Sequence, residues 1–154
     1  MIAELCEPGM QTVFHIGFPK SASTLLQYEL FDQHPSINAI GKPNHRTNPD
    51  IHKLIDTLRF TDSSSFRYNP AGYDLFQQVQ DDAKLNVLSC EDFSSATYWE
   101  TAINKIADRS SIATNLHALD PEAEILVIVR EPVNCLKSIY AQLATNNKLR
   151  EDRL

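Results

Sequence analysis

Short apolar runs alternate along this chain with stretches in which apolar residues recur every three or four positions. Residues 13–17 form a short apolar run bounded by turn residues, the pattern of a buried strand. Residues 36–40, 85–90 and the β-branched run 125–129 predict three more strands. Between them, residues 21–31 predict a helix whose mixed apolar face carries Leu25, Leu26, Tyr28, Glu29 and Leu30. His34-Pro35 closes it, because the residue before a proline disfavours the helical region. Apolar residues at 51, 54, 55 and 58 predict an amphipathic helix over 51–60. Further helices are expected over 71–83, over 110–119, and from a cap at Ser94 or Ser95 through Trp99, Ile103 and Ile106. Pro132 fits the first turn of a last helix reaching about residue 144. Residues 42–50, with prolines at 43 and 49, read as a loop and a candidate for substrate contact. The Ser-rich residues 61–69 read as a surface loop, and the charged residues 148–154 as a frayed end.

Strands alternating with helices argue for an α/β fold, a three-layer sandwich around a central parallel sheet. In such sheets ligands bind beyond the carboxyl ends of the strands, where Lys20, Glu91 and Arg130 all fall. With no internal repeat and no long linker, 154 residues make one domain, its core running from about 12 to 146. A net charge of -6 argues against general nucleic-acid binding. It leaves room for one anionic nucleotide, because a few local cations can dominate a pocket. Cys6, Cys90 and Cys135 are widely spaced, with no Cys-x-x-Cys pair and no histidine cluster, so they read as reduced thiols and no metal is expected. The acidic N-terminus lacks the pattern of a secretion signal, and no run approaches the length of a membrane span. A cytoplasmic protein away from membranes is the expectation.

The chemistry concentrates at two strand-to-helix junctions. In Phe18-Pro-Lys-Ser-Ala-Ser-Thr24, one ammonium, three hydroxyls and the N–H groups of a helix start converge on one spot. That is the chemistry of a phosphate or sulfate cradle. The Gly-x4-Gly-Lys-Ser/Thr spacing of a Walker A loop is absent. The second junction repeats the layout: the run 125–129 leads into Arg130 and Pro132, with Ser138 and Tyr140 further along the helix. Two such junctions suggest a bisphosphorylated ligand held at both ends.

Together these residues resemble the sulfotransferases that use 3′-phosphoadenosine 5′-phosphosulfate (PAPS), a family with a P-loop NTPase-like fold. The resemblance covers about residues 12–143. Ala22 stands where that family's Pro-Lys-Ser/Thr-Gly-Thr-Thr loop has glycine, and Ser23 replaces its first threonine. Alanine is tolerable there if the position avoids positive φ. Arg130 and Ser138 are similar to the family's 3′-phosphate site, where a planar guanidinium binds phosphate oxygens in pairs. His34-Pro-Ser-Ile37 fits more loosely.

The resemblance implies transfer of a sulfuryl group from PAPS, as co-substrate and without a metal, to a hydroxyl or amine of a small-molecule or carbohydrate acceptor. It implies that Lys20 neutralises the leaving phosphate oxygen while Ser21, Ala22, Ser23 and Thr24 hold the 5′-phosphosulfate. Many carbohydrate sulfotransferases carry a Lys-Glu pair whose glutamate is the base; here the segment is Gly41-Lys-Pro-Asn-His45. His45 and Glu91 are then the candidate bases, and Lys42 a candidate contact to sulfate or acceptor. His15, His52 and His117 read as structural or surface residues, and Tyr98 with Trp99 as core or an adenine platform. Family members usually continue further, into a lid over the nucleotide. A sheet cut short would expose an edge for helices or a second subunit of a homo-oligomer to cover. Two rival readings are a PAPS-binding module without turnover and a P-loop nucleotide kinase.

Overall fold

The computed structural model describes residues 11–17, 21–42, 44, 47–94 and 108–145. Its centre is a parallel sheet of strands β1 (Thr12–His15), β2 (Ile37–Gly41), β3 (Leu85–Ser89) and β4 (Glu124–Leu126), in the order β2-β3-β1-β4. His15 stands opposite Ser89 on one side and Leu126 on the other. Because every strand runs the same way, all the carboxyl ends, and the turns that follow them, lie along one edge of the sheet.

The helices are α1 (Ser23–Leu25), which runs into a π-helical stretch (Leu26–Phe31), then α2 (Pro49–Phe60), α3 (Ser63–Tyr68), α4 (Ala71–Val79), α5 (Arg109–Leu119) and α6 (Pro132–Thr145). Helix α2 forms where its pattern predicts. Ile51, Leu54, Ile55 and Leu58 are buried, Pro49 occupies its first turn, and the Asn48 side chain accepts from the N–H groups of Asp50 and Ile51. These residues share one core with Phe14, Ile40 and Leu88 of the sheet, Phe66 of α3, Phe76 of α4, and Ile112 and Leu116 of α5. Each large side chain buried there contributes about 1.5–3 kcal/mol. Since strand residues alternate between faces, His15 and Ser89 point to the opposite side, where Gln27 and Phe31 meet them.

Four expectations from the sequence are corrected. Residues 63–68 form α3 rather than loop: the Asp62 carboxylate caps the Ser65 N–H, and Phe66, fully buried, anchors the turn. Helix α4 stops at Val79, because Gln80 is already extended and Asn86 ties down the following turn through the Asp81 N–H. In the helical stretch 23–31, Leu25, Tyr28 and Leu30 are exposed, while Gln27 and Phe31 face inward. Gln27 meets the polar Ser89 on that face, and Phe31 packs against the His15 ring. The run 125–129 contributes only Glu124–Leu126 to the sheet, with one further bond from the Ile16 N–H to the Leu126 carbonyl; Val127 and Val129 are exposed. Among the described residues β4 pairs with β1 alone, which makes it an edge strand. The helix expected from Ser94 or Ser95 falls mostly on residues 95–107, outside the described residues.

Candidate active site

The site is assembled from the turns that follow β1, β3 and β4. Lys20 and His45 lie outside the described residues. Around this junction Gly17 follows β1, Ser21 is buried, Ala22 turns the chain, and Ser23 and Thr24 open the helical stretch. Ala22 has φ 66° and ψ 16°, the left-handed region. The expectation that alanine here avoids positive φ is therefore wrong. The turn is the one a glycine makes without strain, and alanine occupies it at a cost of about 1–2 kcal/mol.

Ala22 offers no side-chain cap to the helical start that follows it. The other helices differ. Asn48, Asp62 and Asp108 cap α2, α3 and α5 with their own oxygens, and Asn69 accepts from the first N–H of α4. The Glu131 carboxylate takes the N–H groups of Val133 (3.0 Å) and Asn134 (2.8 Å) at the start of α6. This corrects the idea that the two junctions are alike. At the β1 junction the N-cap residue itself supplies no oxygen to the helix start. At the β4 junction a carboxylate already occupies it, and an anion there would be met by the side chains of exposed Arg130 and half-buried Ser138.

Beneath the β1 junction lies a polar network that the sequence did not single out. His15, fully buried, contacts Ser89 Oγ through Nδ1 at 2.8 Å, and Gln27 Nε2 donates to the same oxygen at 2.9 Å. Phe31 packs edge-on against the imidazole, with ring centroids 5.4 Å apart. Burial lowers the His15 pKa below its ordinary value, so the ring is neutral near pH 7. A Cβ on Gly17 would stand 2.7 Å from Ser23 Oγ and 2.9 Å from His15 Nε2, so any larger residue there would crowd both side chains. The one hint in the sequence was an ionisable residue in an apolar strand just before the anion turn.

The β3 turn sits against the cradle. The Cys90 N–H donates to the His15 carbonyl (3.1 Å), and Ser94 Oγ donates to the Gly17 carbonyl (2.9 Å). Ser94 thus fastens the 3₁₀ turn Glu91–Phe93, which begins with half-buried Glu91, to the start of the anion loop. Cys90 is buried beneath this turn. Burial, reinforced by Asp92, pushes its thiol pKa up to about 12, which makes it a packing residue.

Beyond Asp92 opens a cavity of about 140 Å³ lined by Lys42, His52, Ile55, Asp56, Arg59 and Asp92. Arg59 pairs with Asp92 at 3.8 Å and His52 with Asp56 at 3.7 Å. Three separate elements supply these residues, so no spacing in the sequence could have grouped them; of the six, only Lys42 was expected near the ligand.

Two curated relatives are carbohydrate sulfotransferase 15 of Rattus norvegicus, 29% identical, and of Homo sapiens, 27% identical. Each match covers 89% of this chain but 28% of the relative, so the chain spans less than a third of the proteins it resembles. No solved structure matches it significantly. Residues 12–154, which hold both strand-end junctions and the turn between them, match the sulfotransferase family, and the chain belongs to that family.

Proposed function

We propose that this protein transfers a sulfuryl group from PAPS to a hydroxyl or amine of a carbohydrate acceptor. The observation that carries this reading is the strand order. Because β1 pairs with both β3 and β4, the turns holding Ser21–Thr24, Glu91 and Arg130 are neighbours along one sheet edge. An uncapped helix start behind a left-handed turn fits the phosphosulfate end of a nucleotide. Arg130 and Ser138 fit its 3′-phosphate, with Glu131 keeping the amides of α6 occupied.

When bound, PAPS supplies a sulfuryl group already attached to a phosphate leaving group. Ser21, Ala22, Ser23 and Thr24 hold that end, and Lys20 neutralises the negative charge that grows on the phosphate oxygen. Glu91 accepts the acceptor's proton, with His45 the second candidate for that task. The cavity past Asp92 offers cationic donors from Lys42 and Arg59 and carboxylate acceptors from Asp56 and Asp92. A polyol, whose hydroxyls both donate and accept, suits such a lining. The carbohydrate sulfotransferase relatives support the same acceptor class.

The test is transfer of labelled sulfate from PAPS to a panel of sugar and phenol acceptors. Lys20→Ala is expected to lower turnover by about 10²–10³-fold, the scale of losing one preorganised charge donor. Arg130→Ala is expected to act mainly on binding, weakening nucleotide affinity about 10–100-fold. Undiminished transfer by Lys20→Ala would overturn the mechanism.

A further inference from the structure

Among the described residues, β4 exchanges hydrogen bonds with β1 on one side and leaves its other side open. Glu124, Ile125 and Leu126 are all exposed, as are Val127 and Val129 beyond them. In α6, which follows, none of the described residues is buried. An apolar edge of this kind is a template for another strand unless charge or proline blunts it. Here the charges stand only at the two ends. Residues 124–130 read Glu-Ile-Leu-Val-Ile-Val-Arg, an apolar run between a carboxylate and a guanidinium. The pairing with β1 fixes which backbone groups face the open side. The Leu126 carbonyl accepts from the Ile16 N–H at 3.0 Å, and Leu126 stands opposite His15. Leu126 therefore turns its N–H and C=O towards β1, and its neighbour Ile125 turns its own outwards. With the chain continued as strand, Val127 and Val129 do the same.

We infer that this chain forms a two-fold dimer in which the 124–130 segment pairs antiparallel with its own copy about Val127, joining the two sheets into one. In that register Val127 meets the partner's Val127, and Ile125 meets the partner's Val129, all through outward-facing groups, as hydrogen-bonded antiparallel pairs require. Leu126 then lies opposite the partner's Ile128, and Glu124 opposite the partner's Arg130. Moving the axis by one residue would set Glu124 against Ile128, or Arg130 against Leu126, a charge against an apolar side chain in either case. The occupant is a second copy because the segment complements itself: two-fold symmetry makes the Glu124–Arg130 contact twice, and each apolar pair recurs. Residues 127–129, which carry no regular structure in the single chain, join the ladder when the partner docks. The inference is independent of the nucleotide reading, since a guanidinium with five donors can meet a carboxylate and a phosphate together.

Sedimentation equilibrium tests the dimer. The wild-type chain should pass from monomer to dimer between about 1 μM and 1 mM, the range suited to a small interface. Val127→Pro removes an N–H that faces away from β1, so it should keep the protein monomeric and leave its far-ultraviolet circular dichroism unchanged. Glu124→Arg and Arg130→Glu each set like charges opposite one another and should weaken association about tenfold or more; combining the two exchanges should restore it. Amide exchange in the wild-type protein makes the test independent of any variant's folding. The amides of Ile125, Val127 and Val129, fast in the dilute monomer, should slow as concentration rises, and that of Ile128 should not. A chain that stays monomeric across the range would overturn the proposal. So would association that persists in Val127→Pro, a combined exchange that fails to recover, or concentration-dependent protection that spares those three amides.

Discussion

At Ala22 the chain keeps a left-handed turn with a residue poorly suited to it. Ala22→Gly removes strain of about 1–2 kcal/mol and returns about 0.4–1 kcal/mol through the freer unfolded chain. The expected net is a stabilisation of up to about 1.6 kcal/mol, visible as a higher melting temperature; a lower one would contradict the turn. His15 gives a second prediction, in pH. Its folded pKa is depressed by burial, so the unfolded chain takes up a proton near pH 6.5 that the folded protein refuses. Stability is complete above that value and falls as pH drops from 6.5 towards the depressed pKa. Ser89, Gln27, Phe31 and Ser23, the described side chains around the ring, carry no charge that would reverse this sign. Urea midpoints measured across this range should decline in the wild-type protein and flatten in His15→Gln. Both effects begin at single residues whose importance depends on a turn that is visible only in three dimensions.

The elements divide by what holds them. Helix α2 was legible because its own pattern buries one face, whereas α3 was not, since one capping aspartate and one buried phenylalanine stabilise a run of serines. The run 125–129 reads as a strong strand from its β-branched residues. In the sheet it is a three-residue edge, because pairing partners and covering helices, not propensity, set a strand's extent. Amide exchange should therefore be fast in Glu124–Leu126 and slow in β1 and β3. Helix α5 is tied to α2 by buried Asn115, whose Nδ2 donates to the carbonyls of Leu58 (3.1 Å) and Thr61 (2.8 Å). Asn115→Ala leaves both carbonyls short of a donor and should destabilise by about 1–3 kcal/mol, measured by denaturant unfolding. Ser21–Thr24 and Arg130 could be put forward from the sequence as anion-site candidates, since those motifs are local. The His15–Ser89–Gln27 network and the cavity along α2 were not, since each joins residues from several elements.

At the scale of the molecule, an acidic chain brings the groups proposed to bind anions to a single sheet edge. The order β2-β3-β1-β4 sets the cavity lined by Lys42 and Asp92 beside β2 and β3, the Ser21–Thr24 turn after β1, and Arg130 after β4, the order in which the proposed acceptor, phosphosulfate and 3′-phosphate would lie. The proposed reading calls for a ligand with two phosphate-like ends rather than a triphosphate with one anionic tail. Calorimetric titration of the wild-type chain with adenosine 3′,5′-bisphosphate, set against ATP with magnesium, tests this most directly. The bisphosphate should bind with a clear stoichiometric heat and ATP only weakly. Binding of ATP without binding of the bisphosphate would contradict the account at its centre.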